Sequence, residues 1–246
     1  MREDAMAQLP ILKLHDPTFL PAAVTITVGN IKGGVGKTTL ATNLAVWAAV
    51  RRFAKTALID TDAQQSATTF ANMRAETLGD PLFTCVSILN AEALKVHARR
   101  IAADHALTII DAGGRDTATL RHALLISDAV VIPLGPRAYD VWALQQMVDL
   151  IAQARAYNQR LQAFAVLSMA DLRGAESRDV ARMLADLNGV EFLDTPIRKR
   201  SAWFRAAADG KGVVEAKPRD NGAIEDLEAL TGALFERVRA SATIRA

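Results

Sequence analysis

The stretch VGNIKGGVGKTT, residues 28–39, decides how the rest of the chain is read. A short apolar run, AVTITVG (Ala23–Gly29), leads into Gly33, Gly34, Val35 and Gly36, and a helix-like segment begins at once with Lys37-Thr38-Thr39. Strand, glycine turn and helix in that order point several backbone N–H groups and a helix N-terminus at one spot, which suits bound phosphate. Glycines let the chain curl around phosphate oxygens where a Cβ would collide. In such a loop Lys37 reaches the β- and γ-phosphates, Thr38 offers its hydroxyl to Mg²⁺ and Thr39 meets the α-phosphate. The spacing nevertheless departs from G-x-x-x-x-G-K-[ST]: Ile31 holds the place of the first glycine, and a second lysine, Lys32, stands before Gly33.

Outward from this loop, short apolar runs alternate with stretches of helical period. The strand candidates after the first are Thr56–Asp60, Leu82–Ile88, Leu107–Asp111, Ala129–Leu134, Gln162–Met169 and Val190–Asp194. Several are apolar throughout, as parallel strands covered on both faces are. Helices are expected over Lys37–Val50, Ala138–Tyr157 (the longest) and Ala223–Val238, the last with Ile224, Leu227, Leu230, Leu234 and Val238 on one face. Alternation from end to end predicts an α/β fold, and the glycine loop after its first strand makes it of the P-loop NTPase kind. It has a doubly wound, mostly parallel sheet with helices on both faces, in one domain over residues 23–246. Residues 1–22 read as a loose arm: they hold acidic residues and prolines and lack the apolar core of a signal peptide.

Composition narrows the class. Half of the 246 residues are hydrophobic, enough for a proper core. One cysteine, Cys85, excludes an internal disulfide framework and a Cys-rich metal or iron–sulfur site, and makes a reduced cytoplasmic setting the default. No apolar run approaches the roughly 18 residues that span a bilayer, and no further bulky apolar stripe follows Val238 to make a membrane-binding terminal helix, so no membrane partner is expected.

The loop and its neighbours, KGGVGKTTLATNLA, resemble the deviant Walker A loop of the ParA/MinD family of ATPases, in which an extra lysine stands where Lys32 is. The resemblance covers about Val24 to Val238 and looks closest to short plasmid-type partition ParA proteins. It implies ATP and Mg²⁺ as cofactors and a homodimer with ATP sandwiched between the copies, Lys32 reaching the phosphates held by the other subunit. Read on its own, Lys32 could also be a solvated surface lysine. LIDTDAQQSAT resembles the family's D-x-D-P-Q-G switch, with Ala63 for proline and Gln65 for glycine. By resemblance Asp62 orients the attacking water, Asp60 helps hold the magnesium shell, and Asp111, ending LTIID, is the Walker B carboxylate. Gly113 and Gly114 behind it would permit a mobile γ-phosphate sensor.

Between Pro196 and Arg219 lie seven Lys/Arg against two Asp/Glu, although the whole chain is only +2. Arg198, Lys199, Arg200, Arg205, Lys211, Lys217 and Arg219 form a candidate DNA-backbone surface, which would bind without reading bases and weaken with salt. The same cluster could be a solvated helix face, or could touch nucleotide or a dimer partner. Trp203 and Phe204 among them read as packing residues. The family resemblance implies non-specific DNA binding by the ATP dimer, nucleoid association and a ParB-like adaptor that stimulates slow hydrolysis. Two alternatives share the loop: a ParA-like positioner of protein cargo such as carboxysomes or chemoreceptor arrays, and a P-loop metabolic ligase of the dethiobiotin-synthetase type, which would need no trans-acting lysine.

Overall fold

The computed structural model describes residues 23–50, 55–114, 117–136, 138–171, 180, 182–184 and 188–243. The expected N-terminal arm lies outside these. Seven strands form one sheet: β1 Val24–Gly29, β2 Thr56–Asp60, β3 Thr84–Ser87, β4 Leu107–Ala112, β5 Ala129–Leu134, β6 Gln162–Ala170 and β7 Glu191–Arg198. The helices are α1 Lys37–Val50, α2 Ser66–Leu78, α3 Ala91–Ala103, α4 Thr117–Ile126, α5 Ala138–Arg155, α6 Ser201–Ala208 and α7 Asn221–Thr243. At 23 residues α7 is longer than the 18-residue α5, so α5 is not the longest helix.

The strand order is β3-β2-β4-β1-β5-β6-β7, and every neighbouring pair is parallel. A parallel crossover needs a covering helix, so both faces are covered, and β1, β2, β4 and β5 are buried along their whole length, threonines included. On one face Ile26, Val28, Leu58, Ile109, Val131 and Val166 pack under α1 and α7, where Trp47 and Phe235 stack with ring centroids 5.6 Å apart. α1 is buried along one continuous stretch, Leu40–Ala48, because α7 closes over its outer side. On the other face Val130, Ile132 and Leu134 meet Leu144, Met147 and Ile151 of α5, while Ile59 and Ile110 meet Leu94 and Ala98 of α3.

This order brings the site together. β4 lies between β1 and β2, and the register sets Asp111 beside Val28 on one side and Asp60 on the other. Three successive C-terminal strand ends therefore deliver the glycine loop, Asp111 and Asp60 to one crevice, the place where ligands of open parallel sheets bind.

Candidate functional site

Gly34 and Gly36 have φ of 73° and 85°, backbone that a side chain at either position would strain. The chain curls there and enters α1, whose first internal bond runs from Leu40 N–H to Gly36 C=O at 2.9 Å. Val35 is buried beneath the turn, and Gly33 is exposed above it. The root of the loop is fixed by Asn30, fully buried, which donates to Pro133 C=O and accepts from Lys32 N–H, both at 2.9 Å. Lys37 Nζ donates to Lys32 C=O at 2.8 Å, so the backbone of Lys32 is held from both sides while its side chain is half-exposed. Burial lowers the Lys37 pKa, opposed by the charges of Asp111 and Asp62 close by.

The two carboxylates at neighbouring strand ends live in different circumstances. Asp60 Oδ1 accepts from Asp62 N–H at 3.1 Å, and Oδ2 accepts from Thr68 N–H at 2.8 Å and the Thr68 hydroxyl at 2.9 Å. The residue preceding α2, Gln65, sits at φ 49° and caps nothing with its side chain, so Asp60 performs that task from the strand. Asp111 is the opposite case. It is 1% exposed, and neither of its carboxylate oxygens meets a hydrogen-bond partner among the described residues. The Thr38 hydroxyl stands close by without bonding geometry. Burial pushes the Asp111 carboxyl up to about 7; Thr38 and Lys37 pull it down, and Asp60 and Asp62 add to the push.

Asp62 lies on the loop between them, half-exposed. Its Oδ1 accepts from Gln64 N–H at 2.9 Å and its carbonyl from Gln65 N–H at 2.9 Å, a compact turn held without the family's proline and glycine. Thr61 anchors that turn to β4 through Asp111 C=O, by its N–H at 3.1 Å and its hydroxyl at 2.9 Å.

A cavity of about 610 Å³ runs from this corner across the sheet's edge. Gly33, Gly34, Gly36, Lys37, Thr38 and Thr39 line one end, with Asp62 and Gly114 beside them. Met169, Ile197, Trp203 and Phe204 line the other. Met169 holds a strained φ of 53° at the irregular end of β6. Phe204 is 80% exposed, unlike Trp203, which is buried with its indole N–H on Arg198 C=O at 3.1 Å. Only Trp203 packs as expected: α6 turns Ala202, Trp203 and Ala206 inward and Phe204 out over the cavity mouth.

The basic segment divides. Arg198, Lys199 and Arg200 line the same cavity. Arg198 is gripped by Asp226 of α7, which takes its backbone N–H at 3.0 Å and its Nε–H at 2.6 Å, and the Arg200 guanidinium lies 3.4 Å from Asp220 and 3.6 Å from Asp226. Arg205, Lys217 and Arg219 are exposed on and beyond α6; Lys211 is half-exposed, 3.6 Å from Asp209.

Sequence reading missed four positions of consequence: Asn30, Thr68, Asn43 and Arg74. Asn43 accepts from Val213 N–H at 2.9 Å. Arg74, fully buried, donates to Pro81 C=O at 2.9 Å and Gly210 C=O at 3.0 Å and pairs with Glu215. Side chains from the phosphate-loop helix and from α2 thus both hold the loop that precedes Lys217 and Arg219. The bonds from Asn30 to Pro133, Asn43 to Val213 and Arg74 to Gly210 join positions more than 100 residues apart, beyond the reach of local pattern.

Comparison with known proteins agrees with this geometry. The chain is 27% identical over 211 residues to the maintenance of carboxysome distribution protein A of Halothiobacillus neapolitanus, covering 85% of this chain and 94% of that one. It is 28% identical over 218 residues to the protein ParA of Rhizobium radiobacter, covering 87% and 96%. Among solved structures, a putative plasmid partition protein from Borrelia burgdorferi bound to AMPPNP superposes with a TM-score of 0.65 at 22% identity, covering 85% of this chain and 99% of that one. The family model described as the CobQ/CobB/MinD/ParA nucleotide binding domain matches residues 26–213. That span is most of the molecule and contains the loop, both strand-end carboxylates and the cavity, so the chain belongs to the CobQ/CobB/MinD/ParA nucleotide-binding family.

Proposed function

We propose that this protein is a ParA-type ATPase that pairs through ATP, holds DNA by its phosphate backbone and positions a plasmid or chromosome. The observation that carries the reading is the single cavity in which a two-lysine glycine loop, Asp62 and a basic strand end meet. In it the backbone of Gly33, Gly34, Val35 and Gly36, together with Lys37, cradles the β- and γ-phosphates, and Thr39 meets the α-phosphate. Thr38 and Asp111 suit Mg²⁺: a buried carboxylate with two unpartnered oxygens beside a hydroxyl is costly until a cation arrives. When bound, that ion offsets charge on the transferred phosphoryl group. Asp60 braces the Asp62 turn from behind, serving the metal through the fold more than by contact. Asp62 orients the attacking water, and Lys32 extends to the phosphates of a second copy.

Lys199, Arg205, Lys217 and Arg219, with Lys211 beside them, meet DNA phosphates. Arg198 and Arg200, tied to α7, face the nucleotide cavity and join the DNA surface at its inner margin. A ParB-like adaptor speeds a slow hydrolysis, the pair separates and DNA is released. The cycle runs in the cytoplasm on the nucleoid. No described helix is long and apolar enough to cross a membrane.

The test is co-sedimentation with DNA in ADP, ATP and a non-hydrolysable analogue, repeated at raised salt. DNA should be retained with ATP or the analogue, lost with ADP, and lost steeply as salt rises. Absence of DNA binding in every nucleotide state would end the reading. A second reading, positioning of a protein cargo by the same cycle, is favoured by the likeness to the carboxysome distribution protein. It is separated by the adaptor: one that stimulates hydrolysis while bound to a protein shell rather than to a DNA site supports it.

A further inference from the structure

The two glycines behind Asp111 sit where a methyl group could be tolerated by the backbone but not by the neighbours. Neither Gly113 nor Gly114 has the positive φ that would itself demand glycine. Any penalty for alanine there comes from what its Cβ would touch, and the two positions touch different machinery. A Cβ on Gly113 would lie 2.9 Å from Asp62 Oδ2, 3.0 Å from Asp62 Cγ and 3.2 Å from Asp62 Cα, so its three nearest neighbours all belong to one residue. A Cβ on Gly114 would lie 2.9 Å from Ile31 C=O, 3.1 Å from Asn30 C=O and 3.1 Å from Lys37 Nζ.

We infer that these adjacent glycines are positioning residues with separate tasks: Gly113 seats the Asp62 carboxylate for hydrolysis, and Gly114 seats Lys37 and the root of the phosphate loop for nucleotide binding. Asp62 Oδ1 is already committed to Gln64 N–H, so Oδ2 is the oxygen left facing the Gly113 backbone. The turn that carries Asp62 is fixed from behind by Asp60 and Thr61. It cannot back away as a unit, and a methyl at Gly113 must displace the carboxylate by several tenths of an ångström. Displacing a group that aligns a nucleophile slows the chemical step while leaving ground-state binding alone. A methyl at Gly114 presses on two carbonyls that the loop cannot move without breaking the Asn30 tether, and on the ammonium that meets phosphate. Its effect falls on binding.

This inference rests on the proposed ATPase reading, and the experiment separates the two. Single-turnover ATP hydrolysis and the dissociation constant of a non-hydrolysable ATP analogue are measured for wild type, Gly113→Ala, Gly114→Ala, Asp62→Ala and Asp62→Ala/Gly113→Ala. Gly113→Ala should lose about ten- to a hundredfold in rate with affinity within about twofold. Gly114→Ala should weaken the analogue by about tenfold or more. Adding Gly113→Ala to Asp62→Ala should slow hydrolysis no further, because the group it displaces is gone. Thermal unfolding supplies a check independent of turnover. Gly113→Ala should lower the Tm of wild type, and lower that of Asp62→Ala much less. Wild-type turnover in Gly113→Ala, or an equal Tm loss in both backgrounds, overturns the assignment. Brisk hydrolysis by Asp62→Ala overturns the ATPase reading of Asp62 instead.

Discussion

Replacing Glu215 with alanine removes the carboxylate that faces Arg74, whose side chain is fully buried, while Glu215 itself is only 20% exposed. Stranding one member of a buried ion pair costs about 3–5 kcal/mol. Two features place this case at the lower end. Arg74 keeps its bonds to Pro81 C=O and Gly210 C=O, and the partial exposure of Glu215 gives water a way into the vacated space. The expected loss is therefore about 3 kcal/mol, and with about 2–4 °C per kcal/mol for a domain of this size the Tm falls by about 6–12 °C. Glu215→Gln, which keeps an acceptor and loses the charge, should cost about half as much. The double change Arg74→Met/Glu215→Leu should come out closer to wild type than Glu215→Ala, since neither charge then needs a partner. Thermal and urea unfolding followed by far-ultraviolet circular dichroism, without nucleotide, measure all three. A Glu215→Ala protein that melts within about 1 °C of wild type would refute the reasoning, as would a double variant less stable than the single one.

Thr68→Val keeps the shape of the side chain but removes the hydroxyl from Asp60 Oδ2, leaving the Thr68 N–H bond; about 1 kcal/mol of stability and a slower hydrolysis should follow, read by urea unfolding and phosphate release. Arg205→Glu, on an exposed turn of α6, should weaken DNA binding with Tm unchanged. Arg200→Glu should also lower the Tm, since it faces Asp220 and Asp226; equal melting of the two variants would count against the pairing. Burial, with the charge of Asp60 adding to it, pushes the Cys85 thiol from 9.0 up to about 12. Alkylation at pH 9 should then be slow in native protein and fast in urea. Above pH 9 the unfolded thiol ionises while the folded one keeps its proton. The contribution of Cys85 to stability is thus whole below pH 9 and fades as pH climbs toward 12, a slope that Cys85→Ser should flatten in urea titrations at successive pH values.

How much of this was visible in the residues depends on how far apart the interacting groups lie. β2 and β5 begin and end where their runs do, because a strand buried on both faces has an apolar body, even though β2 ends on the site's Asp60. β7 is different. It is an edge strand with alternating exposure, so the apolar run stops at Asp194 while the strand continues through Pro196 to Arg198, an edge position where the missing N–H does no harm. α7 likewise runs to Thr243, past the end of its apolar face at Val238. The glycine loop was legible since its chemistry is local. The basic cluster was only half legible: seven cations close in sequence looked like one surface, until Asp220, just before α7, and Asp226 of α7 paired with two of them. Asp60 reads from the sequence as a second metal carboxylate, and no local pattern signalled its added task in the fold, accepting the Thr68 N–H and hydroxyl eight residues on.

All the strands point the same way, and everything chemical has collected at their leading ends. Among the described residues their trailing ends carry short turns, such as residues 104–106 and 156–161, with Tyr157 almost wholly in solvent. That blunt side is a natural handle. A fluorophore or a surface linker attached at Tyr157→Cys, with Cys85 partly buried and its thiol held protonated at neutral pH, would leave the nucleotide-binding rim facing outward.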